Sequence, residues 1–304
     1  MKCSMHGMRI KLMREQRKDH ILCITLVSMQ KDAVQIKWDD RIMHFLIIDI
    51  YLWISGVQNF HNSWEKFITL TGGENTFTVQ ILEDKGDIHG LECFVYSGGE
   101  CHVTRRGSDV MISDKFGKHA IIFPVHDQTC ADSLLCQLFY THAVRRYILY
   151  LHSSLIEYHG HGLMFLGPSG IGKTTQAELW NQYRGALIIN GDVVFVQESE
   201  DSFLGWGTPW HGSSPYCENT NVPVRAMIVL KQTPDNSIRE LSGFEKVTAV
   251  SNSVFYPRWL ENGMELCLET LDHLLSSVPV YELSCRPDED AVRLVEDTVF
   301  NGSF

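Results

Sequence analysis

Between positions 43 and 124 the apolar residues come in short runs with strand character, over 44–54, 76–82, 91–96, 101–105, 110–113 and 119–123. Gly72-Gly73, Gly98-Gly99 and Gly107 separate them, so the pattern predicts a β-rich first half. From 131 to 150 the period changes. Leu134, Leu135, Leu138, Phe139, Ala143, Tyr147 and Ile148 recur at three and four, the spacing of a helix with one buried face. The second half opens with strands over 153–158 and 163–166, joined by the turn His159-Gly160-His161-Gly162. A helix over 174–183, strands over 186–189 and 193–197, an irregular stretch over 205–221 and a strand over 224–230 follow. The remainder reads as mostly helical, with one strand at 280–283, and no repeat of 20–50 residues is present.

Composition narrows the class. The 304 residues are 44% hydrophobic, 11% aromatic and 21% charged, which is the make-up of a folded globular protein and excludes wholesale disorder. With 26 Lys and Arg against 37 Asp and Glu, the net charge of −11 offers no field for nucleic acid or anionic lipid. Charge is uneven along the chain: residues 1–42 carry nine basic and five acidic side chains, so they are expected to form a loosely ordered extension before a 43–146 β-rich region with its helix and a 147–304 unit. Nine scattered cysteines, without a C-x-x-C pair, predict reduced thiols and a cytoplasmic protein. No apolar run reaches the ~20 residues of a membrane span, and the run at 21–27 lacks a small-x-small cleavage site.

An acidic chain that binds an anion needs a local device, and residues 167–174 supply one. Gly167-Pro168-Ser169-Gly170-Ile171-Gly172-Lys173-Thr174 matches G-x-x-x-x-G-K-[ST], with a predicted strand before it and a predicted helix after it. Its glycines let backbone N–H groups turn inward at the positive end of a helix, where a polyphosphate sits. Lys173 is then the compact cation for the β- and γ-phosphates, Thr174 a hydroxyl ligand for Mg²⁺, and Thr175 extends the loop's first helical turn. A metal held by phosphate also wants a carboxylate at the end of a neighbouring buried strand. Asp192, after the apolar run 186–189 and Asn190-Gly191, is the candidate; the competing reading is a turn residue. With the 186–189 strand placed beside 163–166, Asp192 is expected near Thr174.

Four segments carry a resemblance: Leu151-His152-Ser153-Ser154 before the loop, the loop itself, the strand ending Asn190-Gly191-Asp192, and Gly207-Thr208-Pro209-Trp210-His211-Gly212. Together with 278–288 they look like the HPr kinase/phosphorylase catalytic domain and its relatives, including short ones often associated with peptide modification. The resemblance implies an α/β, P-loop phosphoenolpyruvate carboxykinase-like domain, preceded by a β-rich region. It implies ATP and Mg²⁺ as cofactors and a hydroxyl of a peptide or small molecule as acceptor. His152, Lys173 and Thr174 match family positions, but Gly191 stands where the family has the first of two Asp residues, and Asp192 matches the second. Three readings follow: Asp192 both binds metal and takes the proton, His152 takes it, or the chain binds nucleotide as a switch or maturation factor without phosphotransfer.

His152, His211 and Arg286 have two readings each. His152 is a catalytic or a half-buried structural histidine; His159 and His161 are turn residues; His211 is a second acid/base group or a neighbour of a core-anchored Trp210. Arg286 is a phosphate ligand or a helix-end charge among Asp288, Glu289 and Asp290. The chain is too short for a full carboxykinase and lacks the Asn/Thr-Lys-x-Asp of guanine recognition.

Overall fold

The computed structural model describes residues 8–13, 23–28, 33–34, 42–56, 60–70, 77–81, 96–98, 101–124 and 128–301. In the first 42 residues, β1 (Met8–Met13), β2 (Cys23–Ser28) and β3 (Ala33–Val34) pair antiparallel. The strand expected over 91–96 lies outside the described residues except for Tyr96.

A seven-stranded sheet follows, built from β4 (Ile42–Ile47), β5 (Ile50–Ser55), β6 (Phe77–Ile81), β7 (Tyr96–Gly98), β8 (Cys101–Arg106), β9 (Asp109–Asp114) and β10 (His119–Phe123), in the order β4-β5-β6-β10-β9-β8-β7. The single strand expected over 44–54 is therefore a hairpin. Ile48 and Asp49 turn it with φ of 50° and 56°, and an isoleucine in a two-residue turn leaves no break in the apolar run for a pattern to detect. The helix expected over 131–150 is α1 (Gln128–Ala143) and stops seven residues early. A short 3₁₀ turn, Val144–Arg146, and a left-handed Tyr147 (φ 56°) redirect the chain, so that Ile148 opens a strand whose apolar residues had continued the helical spacing.

That strand, β11 (Ile148–Tyr158), organises the eight-stranded sheet. The further strands are β12 (His161–Leu166), β13 (Leu187–Asn190), β14 (Val193–Glu198), β15 (Phe203–Trp206), β16 (Asn221–Gln232), β17 (Ser237–Glu240) and β18 (Val280–Cys285). The helices are α2 (Lys173–Arg184), α3 (Gly243–Ser251), α4 (Gly263–Ser277) and α5 (Glu289–Val299). β15 lies partly in the stretch expected to be irregular, and β17, polar and only four residues long, was not foreseen. The fold is a mixed α/β arrangement.

Strands β12, β16 and β18 are buried on both faces, and alternation sorts their residues. Leu163, Phe165, Ala226 and Ile228 face α2 and α5 with Trp180, Val292 and Val295. Met164, Leu166 and Met227 face the opposite core, which is shared with Phe45 and Phe77 of the seven-stranded sheet, Trp64 of the 3₁₀ turn Asn62–Phe67 and Phe139 of α1. The β13 strand does not lie beside β12, as expected, but beside β11. The long β11 stands between them, pairing β12 through Ser153–Tyr158 while its other edge takes β13 and β14. Both β12 and β13 run antiparallel to β11, so Leu166 ends opposite Ser153 and Asn190 opposite Leu155. The loops leaving these two strands consequently emerge at the same end of β11.

Candidate functional site

One of those loops is 167–172. Gly167, Gly170 and Gly172 have φ of 136°, 78° and 109°, the left-handed half of conformational space that side chains resist. A Cβ on Gly170 would touch nothing within 4 Å, so its backbone is open on the outside of the loop. The Ile171 N–H closes the turn on the Pro168 carbonyl at 3.3 Å. Gly172 caps α2 without any side-chain hydrogen bond, which leaves first-turn N–H groups for an outside acceptor.

Lys173 is 6% exposed and its ammonium donates to the carbonyls of Gly167 (3.1 Å) and Pro168 (3.2 Å). Burial draws its pKa below the ordinary lysine value, and the charge of Asp192 opposes the shift. A buried cation held only by carbonyl dipoles is one that an anion in the loop would stabilise. The Ser154 hydroxyl, itself buried, donates to the Lys173 carbonyl at 3.0 Å and ties α2 to β11. Ser169 and Thr175 are exposed. A cavity of about 560 Å³ runs from Gly170–Gly172 past Thr175 to Arg286.

The second loop brings Asp192. Thr174 donates its hydroxyl to the Gly191 carbonyl at 3.2 Å, so the two candidate metal ligands stand at the same junction although their strands are not neighbours. His152 Nε2 lies 2.9 Å from Asp192 Oδ1, and both side chains are partly exposed. The two candidate catalytic residues thus form one hydrogen-bonded pair. His152 sits where β11 changes partner: it pairs with Val193, and the next residue with Leu166. Its N–H donates to the Ser253 carbonyl (2.8 Å), and the Ser153 N–H to the Asp192 carbonyl (3.1 Å). No group of three or more His, Cys, Asp or Glu side chains able to hold a metal occurs among the described residues. Thr174 and Asp192 fit a cation that completes its shell with phosphate oxygens.

Asn190 was not singled out from sequence, yet it builds this corner. Fully buried, it donates from Nδ2 to the carbonyls of Thr208 (3.1 Å) and Trp210 (3.0 Å), and its Oδ1 accepts from the N–H groups of Asp192 and Val193 (both 2.9 Å). One amide therefore fixes the Asp192 backbone against the 207–212 loop. The only sequence signal was an amide side chain ending an apolar strand. Ser214 was missed as well. A Cβ on Gly191 would lie 1.8 Å from Ser214 Oγ, and one on Gly212 would lie 2.3 Å from Asp192 Oδ2. The loop is packed so closely that no side chain fits at 191.

The remaining candidates separate cleanly. Trp210 is buried against Trp64 and Phe139, the core-anchor reading. His211 places Nδ1 against the Ser214 carbonyl, and burial lowers its pKa. His159 (φ 51°) and Gly160 (φ 76°) form the β11–β12 turn, with His161 opening β12. Arg286 Nε donates to Asp288 Oδ2 at 2.8 Å while Asp288 caps α5, and the same Arg286 borders the cavity along the loop.

Over 156 residues, half of the chain, the sequence is 26% identical to an HPr kinase/phosphorylase of Clostridium tetani. The match spans 47% of that protein, so the chain covers about half the length of the curated relative. Among solved structures it is similar to the HPr(Ser) kinase/phosphatase of Coxiella burnetii, at 12% identity and a TM-score of 0.29, over 49% of this chain and 95% of that one. No protein-family profile matches the chain. The similarity is weak homology to the HPr kinases over half of the chain. No described helix is long and apolar enough to cross a membrane.

Proposed function

We propose that the protein is an ATP-dependent phosphotransferase of HPr kinase type, with a P-loop phosphoenolpyruvate carboxykinase-like unit that moves the γ-phosphate to a hydroxyl. The observation that carries this reading is the convergence at one end of β11: Thr174 on the Gly191 carbonyl, and the His152–Asp192 pair beside it. Polyphosphate would lie on the open N–H groups of 170–175, with Lys173 exchanging its two carbonyls for phosphate oxygens. Thr174 and Asp192 would hold Mg²⁺, which when bound would neutralise charge on the transferred group. The acceptor oxygen forms the new P–O bond as the bond to the leaving ADP oxygen breaks, and the His152–Asp192 pair receives the acceptor's proton. Asn190 keeps Asp192 in place throughout.

A nucleotide-binding module without phosphotransfer is the second reading. It is favoured by Ser214, whose packing against Gly191 leaves no space for a second carboxylate in this turn.

Calorimetry and turnover test both. Lys173→Ala should weaken Mg-ATP binding tenfold or more, because a charge-assisted contact is worth about 1.5–3 kcal/mol. Asp192→Asn should abolish transfer, and His152→Ala should lower turnover with nucleotide affinity nearly kept. Equal ATP binding by wild type and Lys173→Ala removes the site assignment. Tight ATP binding, with hydrolysis no faster than in Asp192→Asn and no acceptor found, selects the module.

A further inference from the structure

Asp192 also borders a second cavity, of about 500 Å³, that no residue of 167–176 lines. Its walls come from both halves of the chain: the turn at 61–63, Arg106 at the end of β8, α1, Tyr150 on β11, the 209–212 loop and the 255–259 segment. Resting on the phosphotransfer reading, we infer that this cavity is the acceptor site, and that its substrate is a free hydroxyl compound with a flat apolar body and one anionic group, not a serine on a folded protein.

Three observations support this. The volume is that of small-molecule sites, ~300–1,000 Å³. The lining comes from both halves of the chain, so the space is a cleft between segments and not a flat face of the kind on which a folded surface docks. The walls suit a ring: Tyr150, Phe255, Tyr256, Trp259 and Trp210 give them aromatic surface.

Polar groups set the rest of the substrate. Because Nδ1 of His211 faces the Ser214 carbonyl, it carries the proton, and Nε2 is the nitrogen left to accept a hydrogen bond in the cavity. Arg106 brings a guanidinium, the natural partner of a carboxylate. Asp132 and Asp192 line the same space, so a second negative charge on the substrate would be repelled.

The test follows ADP release from Mg-ATP with three acceptors: 4-(hydroxymethyl)benzoate, its neutral analogue benzyl alcohol, and a serine-containing peptide, alongside a folded serine-bearing protein. The acid should be turned over, with KM at least tenfold below that of the alcohol. Arg106→Ala should raise KM for the acid tenfold or more, leave kcat within twofold and erase the preference over the alcohol. Ser133→Trp, which fills the cavity from α1, should abolish turnover of the acid while calorimetric ATP affinity, and hence folding, is unchanged. Unchanged KM and preference in Arg106→Ala, turnover of the peptide or folded protein undiminished by Ser133→Trp, or no turnover of the acid by protein that binds ATP, each overturns the inference. Failure of the wild type to bind ATP at all instead removes the phosphotransfer reading beneath it.

Discussion

Residue 191 has a glycine because of what stands opposite it. The Asn190 amide draws the 207–212 loop onto the strand end, the Gly191 N–H donates to the Tyr216 carbonyl at 3.3 Å, and the Ser214 side chain then fills the space a Cβ would need. Overpacking of this kind costs about 1–3 kcal/mol. Gly191→Ala should therefore lower the urea midpoint, and adding Ser214→Gly should restore part of the loss. Additive losses in this double-mutant cycle would show that the two positions do not compete for space. The same crowding means that an acidic pair cannot be rebuilt by changing residue 191 alone.

At the scale of elements, β11 joins the two halves of the site and α5 closes the far face. Tyr158, near the end of β11, donates to Glu296 of α5 at 2.8 Å, and Arg184, the last residue of α2, donates to the same carboxylate at 2.6 Å. The start of α5 depends on Asp288, whose Oδ1 accepts from the Ala291 N–H at 3.0 Å and from Asn236 Nδ2 at 2.8 Å. Removing an N-cap costs about 1 kcal/mol. Asp288→Ala should cost about that much in chemical denaturation, and it frees Arg286, which borders the cavity along the loop. A loss within the error of the measurement would mean that α5 is held by packing alone.

For the whole molecule, stability should depend on pH through His142. It lies buried on α1, stacks on Phe77 at 4.7 Å, and its Nε2–H donates to the Gly117 carbonyl at 2.8 Å. Burial lowers its pKa from 6.5 to about 4, helped by Arg145 and Arg146 and opposed by the Gly117 bond and Asp114. As pH falls below 6.5 the unfolded chain takes up a proton that the folded one refuses until about pH 4, so stability drops across that window. Between pH 7 and 5 the loss from this group is about 2 kcal/mol. Urea midpoints of the wild type should fall over that range by more than those of His142→Gln. Equal pH slopes would remove His142 as the cause.

What was legible in the sequence was local. The loop 167–174 needs eight consecutive residues, the His159-Gly160 turn needs two, and β12 with its helix is written in runs of like periodicity, because backbone preference and face alternation act between near neighbours in the chain. The end of α1 and the β4–β5 turn were hidden for the converse reason: Tyr147 and Ile148 kept the helical spacing, and Ile48 kept the apolar run, while the pairing of β11 with β14 and of β4 with β5 dictated the bends. Asp192 was visible as a strand-end carboxylate, but its hydrogen bond to His152, forty positions away, exists only because β11 pairs β12 on one edge and β13 and β14 on the other. The cavity beside Asp192 is likewise lined from both halves of the chain, and no segment read alone contains it. Close approach between segments is decided by which strands pair and in what register, and that choice is made by the packed core as a whole.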